Sequence, residues 1–338
     1  MPKPPTFDLT IGGDKKSWTP YVTRLEYAES LDMLNGLTVD LAFTGKAQAD
    51  AAKKLLPGKA YTLKIGSRSI EGDIVRVTWS DSPDQRARVQ LFGLEQLHRV
   101  RHVRFSEVKK LKKDGVVKAV AKEAGIKVSA KATGETEAEL VYLDDEALSL
   151  LKRLAHERNF VISSDGKQAL FQARNETTGS LSVEWKGQVI DCRMSADIQN
   201  VVTEVKVVGW DYTKNKKAEF SAKDSVLKKI SGGQTGVALR KSGPGVLVVN
   251  RNNWTGSAMA SDVKELATGM LQRRAEGFVT GRARCTVLVD AKIGAKVTLK
   301  GAPWPMGGPF VVSGVTHVIE TELDWQTTIE FFSDSLPA

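Results

Sequence analysis

The sequence predicts a mainly β protein with a small α+β insert, in which two antiparallel β-barrel domains flank the insert. Three observations lead to this prediction. Segments with alternating polar and apolar residues occur at both ends of the chain, two amphipathic helix patterns lie between them, and one strand pattern occurs twice with the same glycine spacing. We expect the domains to span residues 1–105, 106–180 and 181–338.

The first domain is predicted from a series of strand patterns that starts near residue 7. Thr62 and Lys64 alternate with apolar neighbours, so one set of side chains faces a core and the other faces water. The segment 46–56 is rich in Ala, Lys and Leu and ends before Pro57, which predicts a short surface helix between two strands.

The insert is predicted from two helix patterns. DGVVKAVAKEAG places Asp114 at a helix start and Gly125 at its end. DDEALSLLKRLAHERN places Asp144 and Asp145 in a first turn and His156 near the last turn, which matches the helix dipole at both ends. Short strand patterns around these helices complete a small α+β domain.

The third domain is predicted from strand patterns that return after Leu181. A long loop is expected at about 221–256, because the Gly-, Ser- and Lys-rich stretch 230–245 has the periodicity of neither a helix nor a strand. An apolar stripe predicts a helix at about 257–276.

An internal repeat connects the first and third domains. Gly58 and Gly294 are 236 positions apart, and so are Gly72 and Gly308. In each copy the order is strand, glycine turn, strand, polar turn and strand. The repeat predicts two copies of one β-barrel domain.

Composition excludes several classes of protein. The chain has 41% hydrophobic residues and a formal net charge of +9, which suits a folded protein with a mild preference for anionic partners. Cys192 and Cys285 stand far apart, so neither a disulfide framework nor a zinc site is predicted, and both are expected to be buried. We find no signal peptide or membrane span, and therefore expect cytoplasmic synthesis without stable membrane anchoring.

Catalytic and metal sites are not predicted. His98 and His102 are four positions apart, but the alternating residues around them favour a strand, and no third ligand stands near them. Asp144 and Asp145 are explained by helix capping, and no Ser-His-Asp or Cys-His set is indicated. We expect a protein without catalytic residues, metal ligands or cofactor, and keep a peptidoglycan-degrading tail enzyme as the alternative from another class.

A basic segment at 99–113 raises the possibility of nucleic-acid binding. Phosphate contacts would come from residues such as Lys109, Lys110, Lys112 and Lys113. The segment matches no DNA-binding motif, so a solvated face or a protein interface is the favoured interpretation. A nucleic-acid-binding module is kept as an alternative.

The order of several segments resembles a known family. These segments are VVKAVAKEAGI, LVYLDDEALSLLKRLAHERNFVI, EVKVVGWDYTKNKKAEF and IGAKVTLKGAPWPMGGPFVVSGVTHVIETELDWQTTIEF. In this order the chain resembles the phage late control protein D family, whose relatives include baseplate hubs of contractile phage tails, R-type pyocin hubs and the N-terminal part of type VI VgrG proteins.

The resemblance implies a structural baseplate hub. It implies two tube-like β-barrels separated by a small domain, and a homotrimer that forms a ring of six similar barrels. Such a ring joins a three-fold central spike to a six-fold tail tube. The implied partners are the spike, the tail tube or tube-initiator protein, and other baseplate and tape-measure proteins, with nucleic acid contacted only when it passes through the channel. The implied location is a virion tail baseplate, a tailocin or an injection particle.

One departure bears on which device the chain belongs to. VgrG proteins continue into an oligosaccharide-binding-type barrel and a needle, whereas this sequence stops at Ala338, directly after the second predicted barrel. We therefore expect the spike to be a separate polypeptide. A VgrG-like component of a type VI or extracellular contractile injection system remains the alternative.

Overall fold

The computed structural model describes residues 6–13, 17–43, 55–82, 85–133, 138–176, 178–211, 214–240, 245–250, 260–320 and 325–338. Within these residues, a curled and largely antiparallel sheet of 12 strands is the main feature. Two three-stranded sheets and a two-stranded sheet accompany it. The prediction of a mainly β protein with a small α+β part is confirmed.

The N-terminal part of the chain forms one half of the large sheet. In its strands, buried residues alternate with partly exposed ones, because successive side chains of a strand point to opposite faces. The strands are β1 (Phe7–Ile11), β2 (Val22–Ser30), β3 (Gly36–Phe43), β4 (Ala60–Ile65), β5 (Arg68–Ser82) and β6 (Gln85–Glu95). The helix predicted at 46–56 lies almost entirely outside the described residues.

The insert comes next in the chain and contains both helices and short strands, as predicted. Its strands and helices are β7 (Arg104–Leu111), α1 (Lys113–Glu123), β8 (Val128–Ala130), β9 (Ala138–Glu146), α2 (Ala147–His156), β10 (Phe160–Ser164) and β11 (Ala169–Ala173). The predicted start of α2 is wrong: Asp144 and Asp145 belong to β9, because its ladder with β7 continues to the pair Arg104 and Glu146. α1 begins one residue before Asp114 and ends before Gly125, whose φ is +65°.

A further correction concerns the junction of the first half and the insert. The predicted strand around His98 and His102 is a 3₁₀ helix, Gln96–His102, that ends before β7. Its buried residues are Leu97 and Val100, three positions apart, and this spacing repeats on one face of a 3₁₀ helix.

The C-terminal part forms the other half of the large sheet and a small sheet beside it. Its elements are β12 (Ser180–Glu184), β13 (Val189–Ala196), β14 (Glu204–Asp211), β15 (Lys216–Lys223), α3 (Gly236–Leu239), β16 (Val246–Asn250), α4 (Ala260–Glu276), β17 (Val279–Thr286), β18 (Lys296–Lys300), β19 (Phe310–Glu320) and β20 (Gln326–Ser333). The predicted helix near 257–276 is confirmed from residue 260 onward.

The long loop predicted at 221–256 is wrong in part. It contains the end of β15, the single-turn helix α3 and strand β16. Thr235 caps α3 by accepting a hydrogen bond from the amide of Ala238, and β16 pairs with β14 in parallel. β16 needs a partner distant in sequence, and α3 is only one turn long, so periodicity within the stretch revealed neither element.

The strand order confirms the internal repeat. The order β4-β5-β6-β3-β2 in the first half matches β18-β19-β20-β17-β13 in the second. β12 lies beside β18 as β1 lies beside β4, although the first pair is parallel and the second is antiparallel. The two halves thus share one topology.

Two β-bulges occur at equivalent positions in both halves, so the halves can be aligned residue by residue. Val75 is the extra residue of β5 opposite β6, and Ser313 is the extra residue of β19 opposite β20. Thr23 is the extra residue of β2 opposite β3, and Ile190 is the extra residue of β13 opposite β17. Bulges fix the register of a ladder, so equivalent bulges give the alignment of the two halves directly.

This alignment corrects one glycine pair of the predicted repeat. Gly58 and Gly294 are equivalent turn residues with φ of +83° and +75°. Gly72, however, lies inside β5, whereas Gly308 lies in the turn before β19. The connection 301–309 is longer than the turn 66–67 between β4 and β5, so a constant sequence offset fails after it.

Buried side chains form three separate clusters, one for each half and one for the insert. The two halves nevertheless belong to one sheet, because β2 pairs with β19. The domain boundaries at 105 and 180 stay a prediction. Among the helices that the structure describes, none has the length and apolar composition needed to cross a bilayer.

Candidate assembly interface

The seam between the two halves shows how one half covers an edge of the other. β2 and β19 form an antiparallel ladder of seven residue pairs. On its buried face, the rings of Tyr27 and His317 stack with centroids 6.5 Å apart and an interplanar angle of 6°. Trp325 contacts the ring of His317 edge-on at 6.4 Å. Aromatic packing and strand pairing together close this edge.

A buried charged network lies beneath the seam. Arg68 donates 2.9 Å to a carboxylate oxygen of Glu29 and 3.0 Å to the carbonyl of Ala291, which belongs to the second half. The hydroxyl of Tyr27 lies 3.2 Å from Glu29 and donates to Glu95. Removal of one partner of a buried ion pair leaves the other charge without compensation, so the seam depends on Arg68 and Glu29 being present together.

Burial also sets the protonation of the seam residues. It raises the pKa of Tyr27 well above its usual value, with Glu29 and Glu95 adding to the effect. It lowers the pKa of His317 to about 3, with Arg68 adding to the effect. Both rings are therefore neutral near pH 7, and their stacking involves no net charge.

Each half has a second strand edge that no described strand covers. β4 pairs with β5 as far as Asp73, and Gly58 and Lys59 bond to the backbone of Ile74, so no described strand lies on this side of residues 75–82. β13 stands at the end of the sheet and pairs with β17 alone among the described strands. Large apolar side chains are exposed here: Val75 (37%) and Trp79 (53%) on β5, and Ile190 (47%) on β13. Free edges with apolar side chains are typical sites of strand addition.

A cavity of about 660 Å³ opens beside β13. Met194, Gly281 and Phe331 form its sheet wall, and they lie side by side on one face because they are direct partners across β13, β17 and β20. Arg174 and Arg273 line the cavity as well. The cavity thus offers an apolar floor and a rim of arginines paired with carboxylates, Asp32 among them.

Ion pairs hold the rim of this cavity in place. Arg174 makes a bidentate contact to Asp32 at 2.5 and 2.8 Å, and Arg273 donates to Asp32 at 3.2 Å. Burial raises the pKa of Glu276 to about 7, and Asn159 donates 2.8 Å to its carboxyl group. Guanidinium groups held in this way can contact the face of an aromatic ring, as Arg174 does with Phe332 at 5.1 Å.

The histidines considered as metal ligands have structural contacts. The Nδ1 atom of His98 lies 2.8 Å from the carbonyl of Glu95, and its Nε2 atom lies 3.6 Å from Asp73. His102 is exposed at the end of the 3₁₀ helix. No group of three or more His, Cys, Asp or Glu residues with metal-site geometry occurs in the part of the chain that the structure describes.

Two basic residues of the segment 99–113 whose side chains the structure describes, Arg99 and Lys113, form ion pairs within the chain. Arg99 makes a bidentate contact to Asp73 at 2.7 and 2.8 Å, and Lys113 is buried beside Glu157 at 3.1 Å. The side chains of 107–111 lie outside the described residues. Because Arg99 and Lys113 bond to carboxylates of the same chain, their charges are compensated, which favours a solvated face or protein interface over a nucleic-acid-binding surface.

The two cysteines differ in burial. Cys285 is fully buried, as predicted, and burial raises the pKa of its thiol to about 12. Cys192 is only partly buried on β13. Both are free thiols.

The sequence did not single out Trp79 or Met194. The internal repeat contains the pattern that identifies Trp79 as an interface residue, because the corrected alignment matches Val77-Thr78-Trp79 with Val315-Thr316-His317 at the internal seam. A constant offset of 236 hides this match, since the two stretches are 238 positions apart.

Solved structures with a similar fold include phage tail proteins and a component of a secretion system. The 43 kDa tail protein of prophage MuSo2 from Shewanella oneidensis is 14% identical with a TM-score of 0.70, over 96% of this chain and 97% of that chain. A tail protein from Neisseria meningitidis MC58 is also 14% identical, with a TM-score of 0.68 over 98% and 97%. The E. coli c3393 protein, a component of the type VI secretion system, is 12% identical with a TM-score of 0.62 over 98% and 79%.

The chain thus has the fold of phage tail proteins, which confirms the predicted resemblance at this level. Among curated protein sequences, none matches the chain significantly. The model of the Alg8 N-terminal domain matches residues 40–321, and the chain belongs to this family.

Proposed function

We propose that the protein is a structural baseplate hub of a contractile phage tail, tailocin or similar injection particle. Three copies would form a ring of six similar sheet halves that joins a central spike, supplied as a separate chain, to the tail tube. The duplicated half-sheet within a phage tail-protein fold is the observation that supports this proposal most directly. Matching bulges give both halves the same strand register, which supports a pseudo-six-fold ring.

The proposed role depends on shape and interfaces and needs no catalytic group. The edges of β5 and β13 that no described strand covers, together with exposed apolar residues, support an assembling protein. Besides the spike and the tube or tube-initiator protein, other baseplate and tape-measure proteins are proposed partners, and nucleic acid would be met only in the channel. The membership in the late control protein D family is part of this proposal.

The mass and shape of the assembled protein test the ring. We expect light scattering to give three times the chain mass of 36.9 kDa at high protein concentration, or when a spike protein is present. Negative-stain electron microscopy should show a hollow ring with six similar lobes. A protein that stays monomeric alone and with its spike, and that is absent from purified tail particles, contradicts the proposal.

A component of a type VI secretion system is the second candidate. It is favoured by the similarity to the E. coli c3393 protein, which is described as structurally similar to the T4 tail proteins gp27 and gp5. Co-purification distinguishes the two candidates: a phage or tailocin hub should copurify with complete tail particles, whereas a secretion component should copurify with proteins of a membrane-attached apparatus.

A further inference from the structure

We propose that copies join head to tail by strand pairing. Residues 76–82, at the free edge of β5, would pair with residues 191–197 of a second copy, which comprise most of β13 and Asp197, the residue after it. The inference rests on the proposed function, because it names the surface through which a ring would form. It follows from the internal repeat: β2 is equivalent to β13, and β5 is equivalent to β19. The chain contains the β2–β19 pair, whereas the equivalent pair, β13–β5, is not formed among the described strands of one chain.

The bulges transfer the register of the internal ladder to the intermolecular one. Within the chain, Ala28 is opposite Thr316 and Tyr27 is opposite His317. Counting from the equivalent bulges, Ser195 replaces Ala28, and Thr78 replaces Thr316. The proposed ladder therefore places Thr78 opposite Ser195 of the second copy.

The same transfer places Trp79 opposite Met194 of the second copy. Trp79 and Met194 are equivalent to His317 and Tyr27, whose rings stack at the internal seam. Trp79 is opposite the buried Val89, so it points toward the inner face of the sheet, yet it is 53% exposed. His317, in the equivalent place, is fully buried. The missing neighbour explains the exposure of Trp79.

The cavity beside β13 fits this neighbour. Met194 lines the cavity and lies on the same face as Phe331. A tryptophan that enters it would contact Met194 on the floor and the guanidinium groups at the rim, both of which pack favourably on an indole ring. An exposed tryptophan on one edge thus matches an open cavity at the other.

Charge complementarity supports the same register. Arg76 would stand opposite Asp197, the residue that follows β13. Each copy contributes its β5 edge to one contact and its β13 edge to another, so the contact is heterologous. A heterologous contact closes into a ring when the rotation that relates one copy to the next is a whole fraction of a full turn.

Disulfide cross-linking tests the proposed register between β5 of one copy and β13 of the next. In a background with Cys192→Ser and Cys285→Ala, the variant Thr78→Cys with Ser195→Cys should form disulfides between chains, seen as covalent dimers and trimers on a non-reducing gel. The matched control is Ala28→Cys with Thr316→Cys, which are partners within the chain and should link without a change in mass. Arg76→Cys with Arg193→Cys places the thiols four residues out of register, roughly 13 Å apart, and should not link.

The outcomes separate the two proposals. If rings form but Thr78→Cys and Ser195→Cys do not link while the internal control does, the strand pairing is wrong and the hub proposal stands. Equal linking of the in-register and out-of-register pairs also overturns the pairing. If the unmodified protein forms no ring alone or with its spike, the proposed function fails.

Removal of the tryptophan tests the cavity contact. Trp79→Ala should raise the dissociation constant of self-association by about tenfold or more, because buried tryptophans are frequent hot spots of interfaces. Trp304→Ala is the matched control, since Trp304 is 70% exposed and lies in the connection before β19, outside β5 and β13. Sedimentation velocity measures both variants, and circular dichroism checks the fold. An unchanged dissociation constant for Trp79→Ala overturns the proposed contact.

Discussion

At the scale of single residues, the charged network under the seam makes a sharp prediction. Glu29→Gln leaves the guanidinium of Arg68 buried without its carboxylate partner. Removal of one partner of a buried ion pair costs about 3 kcal/mol or more, so we expect a loss of this size in the free energy of unfolding. Denaturant titration followed by circular dichroism measures it.

The control for this prediction is an exposed ion pair at the same seam. Arg24 and Glu320 approach to 3.3 Å, but both side chains are substantially exposed to solvent. Glu320→Gln should therefore cost less than about 1 kcal/mol. Equal losses for Glu29→Gln and Glu320→Gln would show that the network does not stabilise the seam.

The sequence predicted which residues face a core better than it predicted which residues bind one another. Alternation alone placed Leu63 inside and Lys64 outside, as the structure has them. The same rule places Glu29 and Glu95 inside, but it does not give their partners. Tyr27 and Glu95 are 68 positions apart, and no local pattern connects them.

At the scale of elements, the contact between α4 and the insert depends on a glycine. A Cβ atom at Gly269 would lie 2.8 Å from the carbonyl carbon of Arg158, just beyond α2. Alanine normally stabilises a helix by roughly 1 kcal/mol relative to glycine, but here it would force the helix away from the insert. We expect Gly269→Ala to lower the melting temperature.

Gly277→Ala is the control for this effect. Gly277 follows α4 directly, and the nearest atom to an added Cβ is 3.6 Å away, an ordinary contact. This variant should leave the melting temperature nearly unchanged in differential scanning calorimetry. A stabilised Gly269→Ala protein would contradict the close approach of α4 to Arg158.

Elements with a strong local pattern were predictable, and elements that depend on distant partners were not. α2 was expected because acidic residues stand before it and His156 lies near its end, as the helix dipole favours. In the structure its buried residues include Leu150, Leu151 and Leu154. The exact start of α2 was missed because β9 extends through its ladder with β7. β16 was missed because its short apolar run becomes a strand only beside β14.

At the scale of the whole molecule, duplication was predictable and its consequences were not. The repeated order of strands and the turn glycines Gly58 and Gly294 identified two related halves, but the longer connection at 301–309 shifted the alignment by two residues. Only the bulges at Val75 and Ser313 restored the register. The candidate interface depends on this register, so the sequence alone could not define it.

The connection 301–309 also has a consequence for symmetry. It carries the exposed Trp304, whereas the equivalent place in the first half is the two-residue turn 66–67. In any closed assembly of this chain, the sheet would repeat twice per subunit, but this apolar projection would repeat once. A ring of three would then display a nearly six-fold wall and a three-fold set of anchor points, so two partners of different symmetry could each find a matching pattern on the same particle.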